Sequence, residues 1–191
     1  METKNIMIVG VGGQGSLLAS KLLGRLLLAK GYDTKVSEVH GMSQRGGSVV
    51  TYVRFGDKVY SPIIDEGQAD FIVSFELMEA ARYTSFLKPG GRIITNQQQI
   101  NPMPVITGAA DYPDHLDAIM ERVGLNVDAI GALALAEEAG SPKAVNLVLM
   151  GRLSRYFEDL TEADWQEAIT HSVPEKYLEL NRKAFHLGRN A

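Results

Sequence analysis

A run of four apolar residues, Ile6-Met7-Ile8-Val9, breaks directly into Gly10-Val11-Gly12-Gly13-Gln14-Gly15. The run reads as a strand buried on both faces, as in a parallel sheet. Ser16 to Lys30 follows, with Leu17, Leu18, Leu22, Leu23, Leu26 and Leu27 close to helical spacing on a wide apolar face. Gly31 stands where a helix stop belongs, and Thr34 to Val39 reads as a second strand. Strand, glycine turn, helix and strand make one βαβ unit. This commits the chain to an α/β fold with a Rossmann-like, mostly parallel sheet flanked by helices.

The rest of the chain extends that architecture. Ser48 to Phe55 alternates as a strand, and Gly56-Asp57 reads as the turn of an antiparallel hairpin into Lys58 to Ser61. Asp70 to Phe75 is a further buried strand. Glu76 to Leu87 reads as a helix stopped by Pro89-Gly90-Gly91, before a strand over Arg92 to Thr95. Asn96 to Pro104 is a loop, with room for a short edge strand after it. Asp114 to Val123 is helical, and Asn126-Val127-Asp128 marks a connection. Helices are expected over Asp128 to Ala139, ending at Gly140, and over Pro142 to Phe157. Thr161-Glu162-Ala163-Asp164 is a capping-box pattern. Ser172-Val173-Pro174-Glu175 repeats that pattern and opens a last helix that stops at Gly188. The C-terminal third is therefore helical.

Composition narrows the function. The 191 residues fit one domain, 1–191, and 45% are hydrophobic. A net charge of -4 argues against binding nucleic acid by bulk charge. There is no cysteine, so this chain holds no Cys-ligated iron–sulfur cluster, thiolate metal site or thiol nucleophile. Asn5 to Ser20 is uncharged but too short to span a bilayer, and no signal-peptide pattern opens the chain. A cytoplasmic protein without membrane contact is the expectation.

Gly10, Gly12, Gly13, Gln14 and Gly15 fulfil G-x-G-x-x-G between a strand and a helix. Glycine allows positive φ and close backbone approach, and a helix N-terminus offers free N–H groups to a phosphate. The same glycines also serve a tight turn that binds nothing. Glu38, at the end of the second strand, lies where a ribose-binding carboxylate sits in dinucleotide enzymes. A free-standing NAD(P)- or FAD-dependent oxidoreductase is thus one reading, and a purely structural interaction module another. A Walker A loop is excluded, because Gly15 is followed by Ser16-Leu17.

A second glycine-rich string, Glu38-Val39-His40-Gly41-Met42-Ser43-Gln44-Arg45-Gly46-Gly47, sets polar donors among glycines. Together with the first loop it resembles the γ-type subunit of 2-oxoacid:ferredoxin oxidoreductases. The Gly41–Gly47 string is most similar to the β subunit of the indolepyruvate type. Asp70, Phe75-Glu76-Leu77, Glu79-Ala80, Arg82, Leu87–Gly91, Asn96, Asp128-Ala129, Ala136, Asn146 and Gly151 follow in order, so the resemblance covers about residues 5 to 187. It implies an enzyme that decarboxylates a 2-oxoacid on thiamine diphosphate, passes electrons singly through iron–sulfur clusters to ferredoxin, and releases an acyl-CoA. It implies an aryl pyruvate substrate. It places thiamine diphosphate, magnesium and the clusters on a larger partner subunit in a dimer of heterodimers. This chain would be inactive alone and would support the partner's active site, with coenzyme A a possible ligand of the first loop.

Individual residues carry two readings each. Arg45 suits bidentate capture of a carboxylate or phosphate, or a surface ion pair. Glu38 anchors the Met42–Gly47 loop (Met42, Ser43, Gln44, Arg45, Gly46, Gly47) or reaches the partner's cofactor, or else is a strand-end charge in water. Gln14 orients a ligand oxygen or closes a turn. Glu76 and Asn96 each follow a strand, where ligand-facing residues collect. Glu79 and Arg82 suit an intrahelical ion pair. Asn146 and Gly151 suit buried packing. His40 is assigned no catalytic role, and His115, His171 and His186 lack metal-ligand spacing.

Overall fold

The structure, a computed structural model, describes residues 2–40 and 47–191. Strands β1 (Lys4–Val11), β2 (Asp33–His40), β3 (Ser48–Gly56), β4 (Ala69–Ser74), β5 (Leu87–Asn96) and β6 (Asn126–Ile130) form one sheet. Their order is β2-β3-β1-β4-β5-β6. β1, β4, β5 and β6 run parallel, and β3 is antiparallel to both β1 and β2. The α/β class and the mostly parallel sheet agree with the sequence, and a hairpin is present, though between other strands than expected.

Helices cover both faces. Helices α1 (Ser16–Ala29), α5 (Ala132–Ala139), α6 (Val145–Ser154), α7 (Glu162–Thr170) and α8 (Leu178–Asn190) build the larger core layer. Helices α2 (Leu77–Arg82) and α4 (Leu116–Arg122) flank the other face, and α3 (Met103–Ile106) is a single exposed turn. β1 shows why this strand centres the sheet. Ile6 and Ile8 enter the first layer, Met7 and Val9 the second, and all four are fully buried.

Several local expectations move. β1, α1 and β2 do form a crossover, but β3 is inserted between the two strands, so they are not neighbours. The hairpin is β2–β3, one strand earlier than the Gly56-Asp57 turn suggests; Lys58 to Ser61 forms no strand. Helix α2 ends at Arg82. Pro89-Gly90-Gly91 belongs to the irregular start of β5, where a Cβ on Gly91 would lie 2.9 Å from the Ala69 carbonyl oxygen of β4. Between Asn96 and α4 there is no edge strand, only the α3 turn. Asn126 to Asp128 opens edge strand β6 rather than a connection, and α5 accordingly starts at Ala132. Pro142 to Ala144 is a 3-10 turn ahead of α6, and Pro174 precedes the 3-10 turn that leads into α8. Gly188 lies within α8, which runs on to Asn190.

Candidate functional site

The sheet places its chemistry at one edge. From the C-terminal end of β1 the chain turns through α1 toward β2. From β4 it turns through α2, on the opposite face, toward β5. The two crossovers diverge between β1 and β4, and open α/β sheets bind ligands at such a switch point. Gly10–Gly15, Phe75-Glu76, Asn96–Gln98 and Gly131 all meet there, joined by Phe75 N–H to the Val9 carbonyl (3.0 Å), Leu77 N–H to that of Gln98 (3.1 Å) and Gln97 N–H to that of Ile130 (2.9 Å). β2 ends and β3 begins at the same edge, since β2 runs parallel to β1.

The glycine loop is held from inside. Gln14 folds back, its Oε1 accepting from Val11 N–H (2.7 Å) and its Nε2 donating to the Phe75 carbonyl (3.3 Å). That return leaves no room at Gly10, where a Cβ would lie 2.9 Å from Gln14 Oε1 and 3.0 Å from Phe75 Cβ. Gln14 therefore closes the turn. Gly12 N–H donates to the Gly47 carbonyl (2.9 Å), which joins the two glycine-rich strings. Gly13 has φ +101° with open space around it. Gly15 has φ +90°, and its carbonyl accepts from Asn146 Nδ2 (3.3 Å).

Helix α1 starts at Gly15 with no side-chain cap and no acidic residue in its first turn. The amides of Ser16 and Leu17 have no intrahelical acceptor, whereas that of Leu18 donates to the Gly15 carbonyl (3.1 Å); with no carboxylate in its own first turn, this helix end favours an anion. Clefts open on either side of the loop. One, about 380 Å³, is lined by Gly12, Gly13, Gly15, Ser16, Leu17, Glu38 and Val49. The other, about 470 Å³, brings Gln98, Leu133 and Lys143 beside Gly13–Gly15. No local pattern points to Lys143, whose approach depends on the turn before α6.

The remaining expected residues are placed unequally. Asn96 is buried and donates to the Phe75 carbonyl (3.2 Å) and to Gln98 Oε1 (3.2 Å). Glu76 is buried as the N-cap of α2: Oε1 accepts from Glu79 N–H (2.6 Å) and Oε2 from the Tyr112 hydroxyl (2.8 Å). Burial, then the neighbouring Glu76 carboxylate, raises the Tyr112 phenol pKa. Glu79 and Arg82 make the intrahelical pair at 3.3 Å. Met42, Ser43, Gln44, Arg45 and Gly46 lie outside the described residues. Among the described residues, no three His, Asp or Glu side chains are grouped to hold a metal ion.

The inserted β3 bears on the dinucleotide reading. Glu38 pairs with Thr51 on β3, and Thr51 with Ile8 on β1. Glu38 thus stands two strand spacings from the glycine strand, roughly 9–10 Å, where a dinucleotide fold has one. The N–H of Gly12 is also already committed to Gly47.

Comparison with known proteins agrees with this architecture. Residues 5–191 match the family model described as pyruvate ferredoxin/flavodoxin oxidoreductase. The chain is 48% identical over 195 residues to indolepyruvate oxidoreductase subunit IorB of Thermococcus kodakarensis, covering 100% of this chain and 96% of that protein. The fold is shared with the keto/oxoacid ferredoxin oxidoreductase gamma subunit of Geobacter sulfurreducens (TM-score 0.73, 23% identity, 98% of this chain and 96% of that one). It is shared too with 2-oxoglutarate:ferredoxin oxidoreductase from Magnetococcus marinus, solved with 2-oxoglutarate, coenzyme A and succinyl-CoA bound (TM-score 0.75, 19% identity). There, 100% of this chain matches 31% of the other. A glycine loop at the switch point, an antiparallel strand set beside it and a match running from Asn5 to Ala191 lead to one assignment: the chain belongs to the pyruvate ferredoxin/flavodoxin oxidoreductase family.

Proposed function

We propose that this chain, acting as one γ-type domain over residues 1–191, is the small subunit of an indolepyruvate-type oxidoreductase. Its glycine loop receives the phosphates of coenzyme A at the face of a larger subunit. The single observation that carries the ligand assignment is the α1 N-terminus, uncapped, without a first-turn carboxylate, and opening between two clefts. Lys143 adds a cation at the rim of one cleft, and the open space at Gly13 lets a ligand approach the backbone closely. The thiamine diphosphate and iron–sulfur clusters of such enzymes supply carbanion chemistry and single-electron transfer; with no cysteine here, the clusters belong with the partner. This chain's part is to bind and orient the acyl acceptor, with ferredoxin taking the electrons.

The test uses the assembled complex. Gly13→Ala is expected to raise KM for CoA about tenfold, the worth of roughly 1.4 kcal/mol of lost binding, with KM for the aryl pyruvate unchanged. Normal CoA kinetics together with poor assembly would favour a purely structural module. Retention of a nicotinamide or flavin nucleotide by the isolated chain would favour a dinucleotide enzyme.

A further inference from the structure

Ser48 opens β3 directly after Gly47, the residue whose carbonyl accepts from Gly12 N–H. Its hydroxyl turns to the α2 side of the sheet, donates to Glu79 Oε2 and lies 3.1 Å from the Tyr83 hydroxyl. Glu79 is 5% exposed. Its other oxygen faces Arg82 Nε at 3.3 Å, and its backbone N–H is held by Glu76 Oε1. A buried carboxylate costs stability unless its oxygens are satisfied, and one of these is satisfied by the hydroxyl at the root of the second loop. Contacts therefore run without a gap from α2 through Glu79, Ser48 and Gly47 to Gly12.

We propose that Glu79 is a positioning residue for the glycine loop, holding Gly47, and with it the Gly12 end of the loop, in place through Ser48. Its consequence for catalysis rests on the CoA reading above; the tether itself does not. Gln14 braces the Val11 end of the loop from inside, whereas the Gly12 amide is held from outside by Gly47, so the anchor of Gly47 helps decide how the loop is presented to a ligand.

The experiment compares Ser48→Ala, Glu79→Ala, Glu79→Gln and Gly13→Ala in the complex with the larger subunit. It reads KM for CoA, kcat and hydrogen–deuterium exchange at the Gly12 amide. Loss of a buried, charge-assisted hydrogen bond predicts about tenfold faster exchange at Gly12 and about tenfold higher KM for CoA in the two alanine variants. The kcat at saturating CoA should stay within about twofold. Glu79→Gln keeps an acceptor and should restore both readouts, which a merely bulky filler would not do. Unchanged exchange at Gly12 in a folded Ser48→Ala complex overturns the tether, even if Glu79→Ala fails to fold. A KM for CoA that moves in Gly13→Ala but not in Ser48→Ala overturns the positioning role alone. If Gly13→Ala leaves that KM unchanged, the CoA reading falls, and exchange at Gly12 then decides the tether by itself.

Discussion

Gly13 and Gly15 both have positive φ, yet their surroundings separate what substitution does. At Gly13 an added Cβ meets nothing within 4 Å, so Gly13→Ala carries only backbone strain, about 1–2 kcal/mol. In a chain of this size that lowers Tm by about 3–6 °C. At Gly15 the added Cβ would lie 2.8 Å from Asn146 Nδ2, whose residue is buried and bonded to the Gly15 carbonyl. Gly15→Ala is therefore expected to lose roughly twice as much, and equal melting losses would refute this account of the loop. Asp128 gives the residue-level pH dependence. Burial pushes its carboxyl up, but the hydrogen bonds from Arg152 (both 2.7 Å) and Tyr156 (2.5 Å) outweigh that and hold it below the ordinary carboxylate value. A pKa lowered on folding contributes stability above the unfolded value, lost as pH falls through the native one. Asp128→Asn should cost about 3 kcal/mol at neutral pH, because it leaves Arg152 inside without its counter-charge. The gap between the two proteins' melting curves should narrow below about pH 4. A gap that stays constant to pH 3 would assign the loss to packing instead.

Helices α6 and α8 touch backbone to backbone, which makes their glycines a matter of element packing. A Cβ on Gly151 would lie 2.0 Å from the Phe185 carbonyl oxygen, and one on Gly188 only 1.9 Å from that of Val148. Neither obstacle is a side chain that can rotate away. Either glycine changed to alanine must part the two helices, with an expected cost above about 3 kcal/mol and a Tm loss of roughly 10 °C. Thr161→Ala, which removes a cap bonded to Asp164 N–H, should cost only about 1 kcal/mol by the same melt. The pair also shows what can be read from a sequence. The Thr161 box is legible because all its partners lie within four residues. Gly188 looks like a helix stop because the reason for it, Val148, is forty positions away. Asn126-Val127-Asp128 looks like a connection because the charge that lets Asp128 sit in a strand comes from Arg152. The site divides the same way: the glycine loop and its helix are local and legible, whereas Lys143, Tyr112 and the Ser48–Glu79 contact are assembled by topology. Strand order is the extreme case, since nothing between β1 and β2 announces that β3 will be inserted between them.

At the scale of the molecule the two ends of the sheet do different work. The edge bearing Gly10–Gly15 is rich in glycine, in open clefts and in an uncapped helix start, none of which adds stability. The opposite edge is tied together. Asp70, at the start of β4, is buried, accepts from Asn5 N–H (2.8 Å) and pairs with Lys88 and with Lys4 (3.4 Å), so one carboxylate joins the first turns of β1, β4 and β5. Family membership makes this chain one subunit of a larger oxidoreductase, so its own stability and the complex's turnover can be measured separately. Asp70→Ala leaves a buried N–H and two lysines without their acceptor, a loss of about 2–4 kcal/mol, or roughly 6–12 °C in Tm. Because that edge lies a full strand length from the clefts, the surviving complex should keep the parent KM for CoA. Gly13→Ala should do the reverse, with a small loss in Tm and a large rise in KM. The two variants, each carried through thermal melts of the chain and steady-state kinetics of the complex, form a crossed test. If Asp70→Ala raised KM for CoA as much as Gly13→Ala, the division of the sheet into a binding edge and a stabilising edge would be wrong, and the CoA site would have to be sought across the whole subunit.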